Sequence, residues 1–90
     1  MLKTLEELIT VVSQRKTSKV EESYTKKLLN HKKLSIEKVK EEIAELIEAV
    51  EKNKNQVHEA ADVLYHLMVL LDANGIKIED VMDELKKRQK

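Results

Sequence analysis

The 90-residue chain contains no proline and only one glycine, Gly75. Strands that are joined by tight turns depend on these two residue types, which supply the backbone conformations that turns require. Their near absence favours an all-α fold. Cysteine is absent as well, which fits a reducing compartment.

The length of the chain predicts a single domain that spans residues 1–90. A chain this short buries only about 60 to 65% of the surface that its unfolded form exposes. The segment from residue 63 to residue 71, VLYHLMVLL, is apolar on two sides of a helix. We therefore expect a partner subunit to complete the core, and the expected assembly is a homodimer.

The charge composition argues against two classes of partner. The chain carries 17 basic and 17 acidic residues, so its formal net charge is zero. Proteins that wrap nucleic acid or adhere to anionic membranes carry a basic surface. The sequence thus predicts no nucleic-acid partner and no membrane partner.

The N-terminal sequence, MLKTLEELITVV, has acidic residues where a signal peptide would be apolar. No stretch of the chain reaches the roughly 20 apolar residues that a membrane span needs. We expect the protein to be cytoplasmic.

Apolar residues recur at helical spacing, which predicts a bundle of four to five helices that dimerisation completes. Ser35 is the predicted N-cap of the third helix. Asn53 and Gln56 resemble a capping box that starts the fourth helix, and Gly75 ends it. The third helix carries an apolar seam suited to bundle packing, formed by Ile36, Val39, Ile43, Leu46, Ile47 and Val50. The predicted helices cover about residues 2–16, 23–29, 35–52, 53–75 and 78–89, and residues 17–23 form a connection.

The fourth predicted helix places Glu59, Asp62 and His66 on one face. One turn further along, the same stripe continues into the apolar residues Val69, Leu70 and Ala73. A stripe of this kind must be covered by other parts of the protein. Exposure to solvent therefore does not explain the two acids.

The third predicted helix places Lys38, Glu41, Glu42 and Glu45 on one face. Alone, this pattern is typical of a solvated helix surface. Carboxylates three or four residues apart can hold one small cation, however, because their β-carbons lie about 5 to 6 Å apart. Mg²⁺ prefers oxygen ligands and binds substrate phosphates. Two facing groups of acids would suit it.

Other interpretations remain open for the fourth helix. Glu59 and Asp62 could belong to a buried network of ion pairs with lysine or arginine from another helix. His66 could be bonded to Asp62, four residues before it, rather than to a metal. Tyr65 lies away from the acids, which favours a role in packing or at an interface.

Several stretches of the sequence resemble a known family. The pattern E-E-x-x-E, formed by Glu41, Glu42 and Glu45, precedes E-x-x-D, formed by Glu59 and Asp62. Together they resemble the metal-binding signature of the all-α nucleoside triphosphate pyrophosphohydrolases. Within that superfamily, nearly the whole chain is similar to the phosphoribosyl-ATP pyrophosphatases, which act in the second step of histidine biosynthesis. The more specific stretches are SYT and EAADVLYH.

The resemblance implies Mg²⁺-dependent hydrolysis of phosphoribosyl-ATP to phosphoribosyl-AMP and pyrophosphate. It implies that Glu41 and Glu42 are catalytic, with Glu41 either a metal ligand or the group that orients the attacking water. The implied metal ligands are Glu42, Glu45, Glu59 and Asp62. The candidate substrate-binding residues are Arg15, Ser23, Tyr24, Thr25 and Lys38.

The sequence departs from the family at two places. Lys40 stands where the family commonly has glycine, and the connection after Leu29 lacks its usual glycine. Neither position touches a proposed ligand, but Lys40 could alter phosphate contacts or specificity. We expect a freestanding protein, although this activity also occurs joined to the cyclohydrolase of the next step.

Two other functions stay open at this point. One is hydrolysis of unwanted nucleoside triphosphates by a housecleaning enzyme of the same superfamily. The other is a non-catalytic dimerisation module, in which the acids only form ion pairs.

Overall fold

The computed structural model describes residues 2–16 and 24–89, and these residues form helices and no strand. The all-α prediction is therefore confirmed. No helix in the described ranges is both long and apolar enough to cross a membrane. The helices are α1 (Lys3–Lys16), α2 (Tyr24–Leu29), α3 (Lys32–Lys52), α4 (Gln56–Ala73) and α5 (Ile78–Arg88).

The core lies where α1, α2 and the C-terminal half of α4 meet. Its most buried apolar residues are Val12, Leu28, Leu29 and Val69. Tyr65 packs against this cluster, as the sequence predicted. The covered stripe of α4 is also confirmed, because His66 and Val69 are both buried. Since α4 contacts α1, α2 and α3, it is the central helix of the bundle.

The connection between α3 and α4 is only three residues long, which makes the two helices antiparallel neighbours. Asn53 and Asn55 adopt left-handed backbone conformations, with φ of 52° and 60°, which asparagine tolerates better than most residues. The N–H of Lys54 donates to the carbonyl of Ala49 at 3.0 Å, which closes α3.

The predicted capping box is therefore wrong. Asn53 ends α3 instead of starting α4, and Asn55 precedes α4 without a side-chain cap. The two predicted partners do contact each other, since Gln56 Nε2 donates to Asn53 Oδ1 at 2.6 Å.

The start of α3 also differs from the prediction. His31 is the N-cap, and its Nδ1 accepts a hydrogen bond from the N–H of Leu34 at 3.2 Å. Ser35 lies inside the helix with 2% of its surface exposed. Its hydroxyl donates to the carbonyl of Leu28 at 2.5 Å. Ser35 thus joins α2 to α3 and is not a cap.

Gly75 ends α4 as predicted. Its φ of +68° is the left-handed conformation that glycine adopts without strain. The N–H of Ile76 donates to the carbonyl of Leu71 at 2.9 Å, and that of Gly75 to Asp72 at 3.1 Å. This pair of bonds is the Schellman arrangement.

Only part of the apolar seam of α3 is buried by the rest of the chain. Val39 is buried and Leu46 is half-buried, but the other four members are exposed. Val57 and Leu64 of α4 are exposed as well. We call this surface the uncovered apolar stripe, and it consists of Ile36, Ile43, Ile47, Val50, Val57 and Leu64.

Two substitutions at Ser35 separate the observed role from the predicted one. Ser35→Ala should lower the free energy of unfolding by about 1 kcal/mol, because one buried hydrogen bond is lost. Ser35→Asp should lower it by about 3 kcal/mol or more, because an unpaired carboxylate would be buried. Urea denaturation measures both values. If Ser35 were an exposed N-cap, aspartate would serve as well as serine, so an unchanged Ser35→Asp variant would contradict the structure.

Candidate active site

Carboxylates from α3 and α4 meet in the hairpin that these two helices form. Glu42 is 9% exposed, and one of its carboxylate oxygens lies within 4.8 Å of one from Glu45. Glu45 and Glu59 of α4 line the same cavity, and the nearby Glu45 helps to raise the pKa of Glu59. The three side chains therefore join the two predicted acid groups. We call the five acids the acid cluster, which consists of Glu41, Glu42, Glu45, Glu59 and Asp62.

Burial and mutual repulsion act together on these carboxyl groups. Burial, followed by the neighbouring Glu45, Asp62 and Glu59, raises the pKa of Glu42 from 4.5 to about 6. Burial and then Glu45 also raise the pKa of Glu59. Both shifts mean that the ionised form is costly here. Glu42 and Glu59 therefore lack full compensation by a positive charge.

The ion pairs of α3 do not bring a positive charge to the buried members of the acid cluster. Lys38 Nζ lies 3.4 Å from Glu41 Oε2, and Lys52 pairs with Glu48. Within residues 2–16 and 24–89, no lysine or arginine forms an ion pair with the four predicted metal ligands. The proposed network of buried lysine or arginine pairs is thus unsupported in the described ranges.

The arrangement of oxygen atoms fits a divalent cation. Glu42 Oε2 and Glu59 Oε2 are buried and have no hydrogen-bond partner, which is costly for a carboxylate that stays unpaired. Donor atoms lie within 4.8 Å of one another in two groups of three residues. Carboxylate oxygens at such spacing suit Mg²⁺, whereas His58 offers a ring nitrogen. The groups are Glu41, Glu42 and Glu45 on α3, and His58, Glu59 and Asp62 on α4.

The two histidines of α4 have partners that the sequence did not predict. Asp62 pairs with His58, whose Nε2 lies 3.3 Å from Asp62 Oδ2. His66 faces α3 instead, and its Nε2 lies 3.8 Å from Glu42 Oε1. The predicted pairing of His66 with Asp62 is therefore wrong. His58 was missed, although its position four residues before Asp62 would have indicated it.

Comparison with known proteins identifies the family of the chain. A model of the family described as phosphoribosyl-ATP pyrophosphohydrolase matches residues 5–89. The chain belongs to this family. The resemblance noted in the sequence is thereby confirmed.

Relatives of the chain cover nearly all of it. It is 41% identical over 93 residues to the phosphoribosyl-ATP pyrophosphatase of Methanococcoides burtonii, which covers 98% of this chain and 94% of that protein. The corresponding protein of Sulfurisphaera tokodaii is 44% identical over 89 residues, covering 96% and 95%. The histidine biosynthesis bifunctional protein HisIE of Pyrococcus furiosus is 43% identical over 90 residues, covering 99% of this chain and 43% of that protein.

Two of the residues that family membership suggests for substrate binding lie beside the acid cluster. Tyr24 is half exposed at the start of α2. Electrostatic interaction with Tyr24, and then with Glu41, raises the pKa of Lys38. Burial raises the pKa of Tyr24. Tyr24 and Lys38 thus lie together at one polar edge of the acid cluster.

The other substrate candidates are placed differently. Thr25 Oγ1 is hydrogen-bonded to the hydroxyl of Tyr65. Arg15 is half-buried in the last turn of α1, and no contact among the described residues joins it to the acid cluster. Ser23 lies outside the described residues. The position of Lys40, where the family commonly has glycine, is an exposed one on α3.

The raised pKa of Glu42 predicts how pH changes the stability of the metal-free protein. Below about pH 4.5 the Glu42 carboxyl is protonated in both the folded and the unfolded protein. Between about pH 4.5 and about pH 6 it ionises in the unfolded protein but stays mostly protonated in the folded protein. Stability is therefore lost as pH rises through this window, by about 1 to 2 kcal/mol. Glu42→Gln should remove that loss, and it should make the protein more stable than wild type at pH 7.5.

Thermal or urea unfolding with a chelator at pH 4.5 and pH 7.5 measures this difference. Glu48→Gln is the matched control, because Glu48 is exposed and its pKa is lowered by its bond to Lys52. It should retain the wild-type loss. If Glu42→Gln keeps the wild-type dependence of stability on pH, ionisation of Glu42 does not destabilise the fold and the prediction is contradicted.

Proposed function

We propose that this protein hydrolyses phosphoribosyl-ATP to phosphoribosyl-AMP and pyrophosphate, a step of histidine biosynthesis. The observation that carries the proposal is the meeting of buried carboxylates from α3 and α4 without a lysine or arginine partner in the described ranges. The family match and the names of the relatives supply the substrate. The proposed location, the cytoplasm, stays a prediction from the sequence.

Glu42, Glu45, Glu59 and Asp62 are the proposed ligands of Mg²⁺. When bound there, Mg²⁺ would neutralise negative charge that develops on the phosphate oxygens. The ligands come from two helices that pack along each other, so the site is held by rigid elements. Its hard oxygen donors match the preference of this ion.

Glu41 is the proposed group that orients the attacking water and accepts its proton. It lies at the exposed rim of the acid cluster, next to the deeper Glu42, where water has access. The water oxygen bonds to one phosphorus of the bridge between the α and β phosphates. The bond from that phosphorus to the bridging oxygen breaks at the same step. Lys38, which pairs with Glu41 at 3.4 Å, is positioned to contact a phosphate oxygen.

Release of pyrophosphate from phosphoribosyl-ATP tests the proposal. Wild type should be active with Mg²⁺ and inactive with chelator. Glu45→Ala and Asp62→Ala should each lower kcat by at least about 100-fold, because each removes a proposed ligand of the Mg²⁺ that would neutralise charge on the phosphate oxygens. Glu48→Ala is the matched control on the same helix, since Glu48 is exposed and pairs with Lys52, and its kcat should stay near wild type. Full activity in Glu45→Ala would contradict the assignment.

The same assay separates the alternative functions. A housecleaning enzyme would hydrolyse ordinary nucleoside triphosphates with kcat/KM values above that for phosphoribosyl-ATP. A non-catalytic dimerisation module would bind no Mg²⁺ and release no pyrophosphate from any of these compounds.

We also propose that the protein is a homodimer that buries the uncovered apolar stripe. The stripe combines exposed aliphatic residues of α3 and α4, and α1 and α2 leave it open. Burying apolar surface yields roughly 25 cal/mol for each Å² removed from water. A second copy of the chain is the partner that the short length already favours.

Light scattering at micromolar concentration should give twice the mass of one chain. Ile47→Lys should shift the mass towards one chain, because Ile47 is 55% exposed in the single chain and a dimer would bury its charged replacement. Val11→Lys is the control, since Val11 is 44% exposed on α1, outside the stripe. A monomeric wild type would rule the dimer out.

A further inference from the structure

His66 lies between α2 and the acid cluster, and the proposed reaction does not use it. It is 7% exposed, so it is a buried polar side chain in a small protein. Its Nε2 lies 3.8 Å from Oε1 of Glu42. Glu42 is itself the most buried member of the acid cluster.

Two aromatic rings hold the plane of the imidazole. The ring of Tyr65 meets it edge-on, with centroids 4.9 Å apart and an angle of 78°. The ring of Tyr24 does the same from α2, at 6.1 Å and 88°. Perpendicular contacts of this kind are favourable for aromatic rings. The imidazole therefore has a defined orientation with its Nε2 towards α3.

A hydrogen bond fixes the position of α2 relative to this ring. Thr25 Oγ1 and the hydroxyl of Tyr65 share it, and Tyr65 precedes His66 in α4. Thr25 and Tyr24 are neighbours in the first turn of α2. The same short helix thus supplies both a ring contact and an anchor beside the histidine.

The two carboxylate oxygens of Glu42 have different surroundings. Oε1 faces His66, whereas Oε2 is buried and has no hydrogen-bond partner. Polar partners behind a metal ligand commonly set its orientation. The 3.8 Å separation exceeds a hydrogen bond, and such contacts often tighten only when a site is occupied.

We propose that His66 is a positioning residue for Glu42. Its Nε2–H holds Oε1 and leaves Oε2 directed towards the cation that the acid cluster binds. This role rests on the proposed function of Glu42 as a metal ligand. It gives α2 a structural part in the site, because Thr25, Tyr65 and Tyr24 hold the histidine.

A packing role for His66 makes a different prediction from a positioning role. If the ring only fills space between Tyr24 and Tyr65, an apolar residue of similar size should serve. If the N–H orients Glu42, a residue that keeps this donor should serve better. His66→Leu and His66→Gln distinguish the two, because the glutamine amide carries an N–H near the position of Nε2.

Binding of Mn²⁺ without substrate, measured by electron paramagnetic resonance, is the direct test. Mn²⁺ shares the preference of Mg²⁺ for oxygen ligands. His66→Leu should weaken binding by about 10- to 100-fold, as expected for loss of a group that orients a ligand, and His66→Gln should recover most of the loss. His31→Asn is the control, since His31 lies about 16 Å from Glu42 along α3. Circular dichroism at the same temperature reports the folded fraction.

The outcomes separate this inference from the proposed function. Equal Mn²⁺ affinity in wild type and folded His66→Leu would overturn it, as would equal losses in His66→Leu and His66→Gln. A wild type that binds no Mn²⁺ would overturn it too. If wild type binds Mn²⁺ but does not hydrolyse phosphoribosyl-ATP, only the proposed substrate is ruled out. With phosphoribosyl-ATP as substrate, His66→Leu should need a higher Mn²⁺ concentration for activity because its affinity for the ion is lower. Saturating Mn²⁺ should largely restore that activity.

Discussion

The main constraint on this structure is that several carboxylates lie together at the contact between α3 and α4. Glu42 is nearly buried, and Glu45 bridges it to Glu59 on the other helix. An apolar contact would have stabilised the helix pair at lower cost, because buried charges lose their hydration. The Mg²⁺ proposed above would compensate this cost. Stability is thus reduced at the proposed active site, a common pattern in enzymes.

Much of the fold could be predicted from local patterns in the sequence. The all-α class followed from the absence of proline and from helical spacing, and Gly75 identified the end of α4. The covered face of α4 was predicted because Val69 and its neighbours continue the stripe that carries the acids. These features depend on neighbouring residues along one helix, which periodicity describes well.

Features that depend on contacts between helices were predicted less well. Ser35 has the composition of an N-cap, but its hydroxyl bonds to Leu28 from the preceding helix. His66 has Asp62 at the right spacing, yet its side chain faces Glu42 across the hairpin. Residue spacing cannot rank a partner on the same helix against one on another helix. The acids themselves were found because both groups show the i, i+3 or i, i+4 spacing on their own helices.

The three-residue connection between α3 and α4 has a consequence for how the family can vary. Loops at a protein surface usually tolerate insertions and deletions. Here Asn53 and Asn55 are both left-handed, and they set the register between the two helices. An added residue that lengthened either helix would turn the following acids by about 100°, away from their counterparts. Length should therefore be held constant at this exposed loop, and natural variation should appear as substitution.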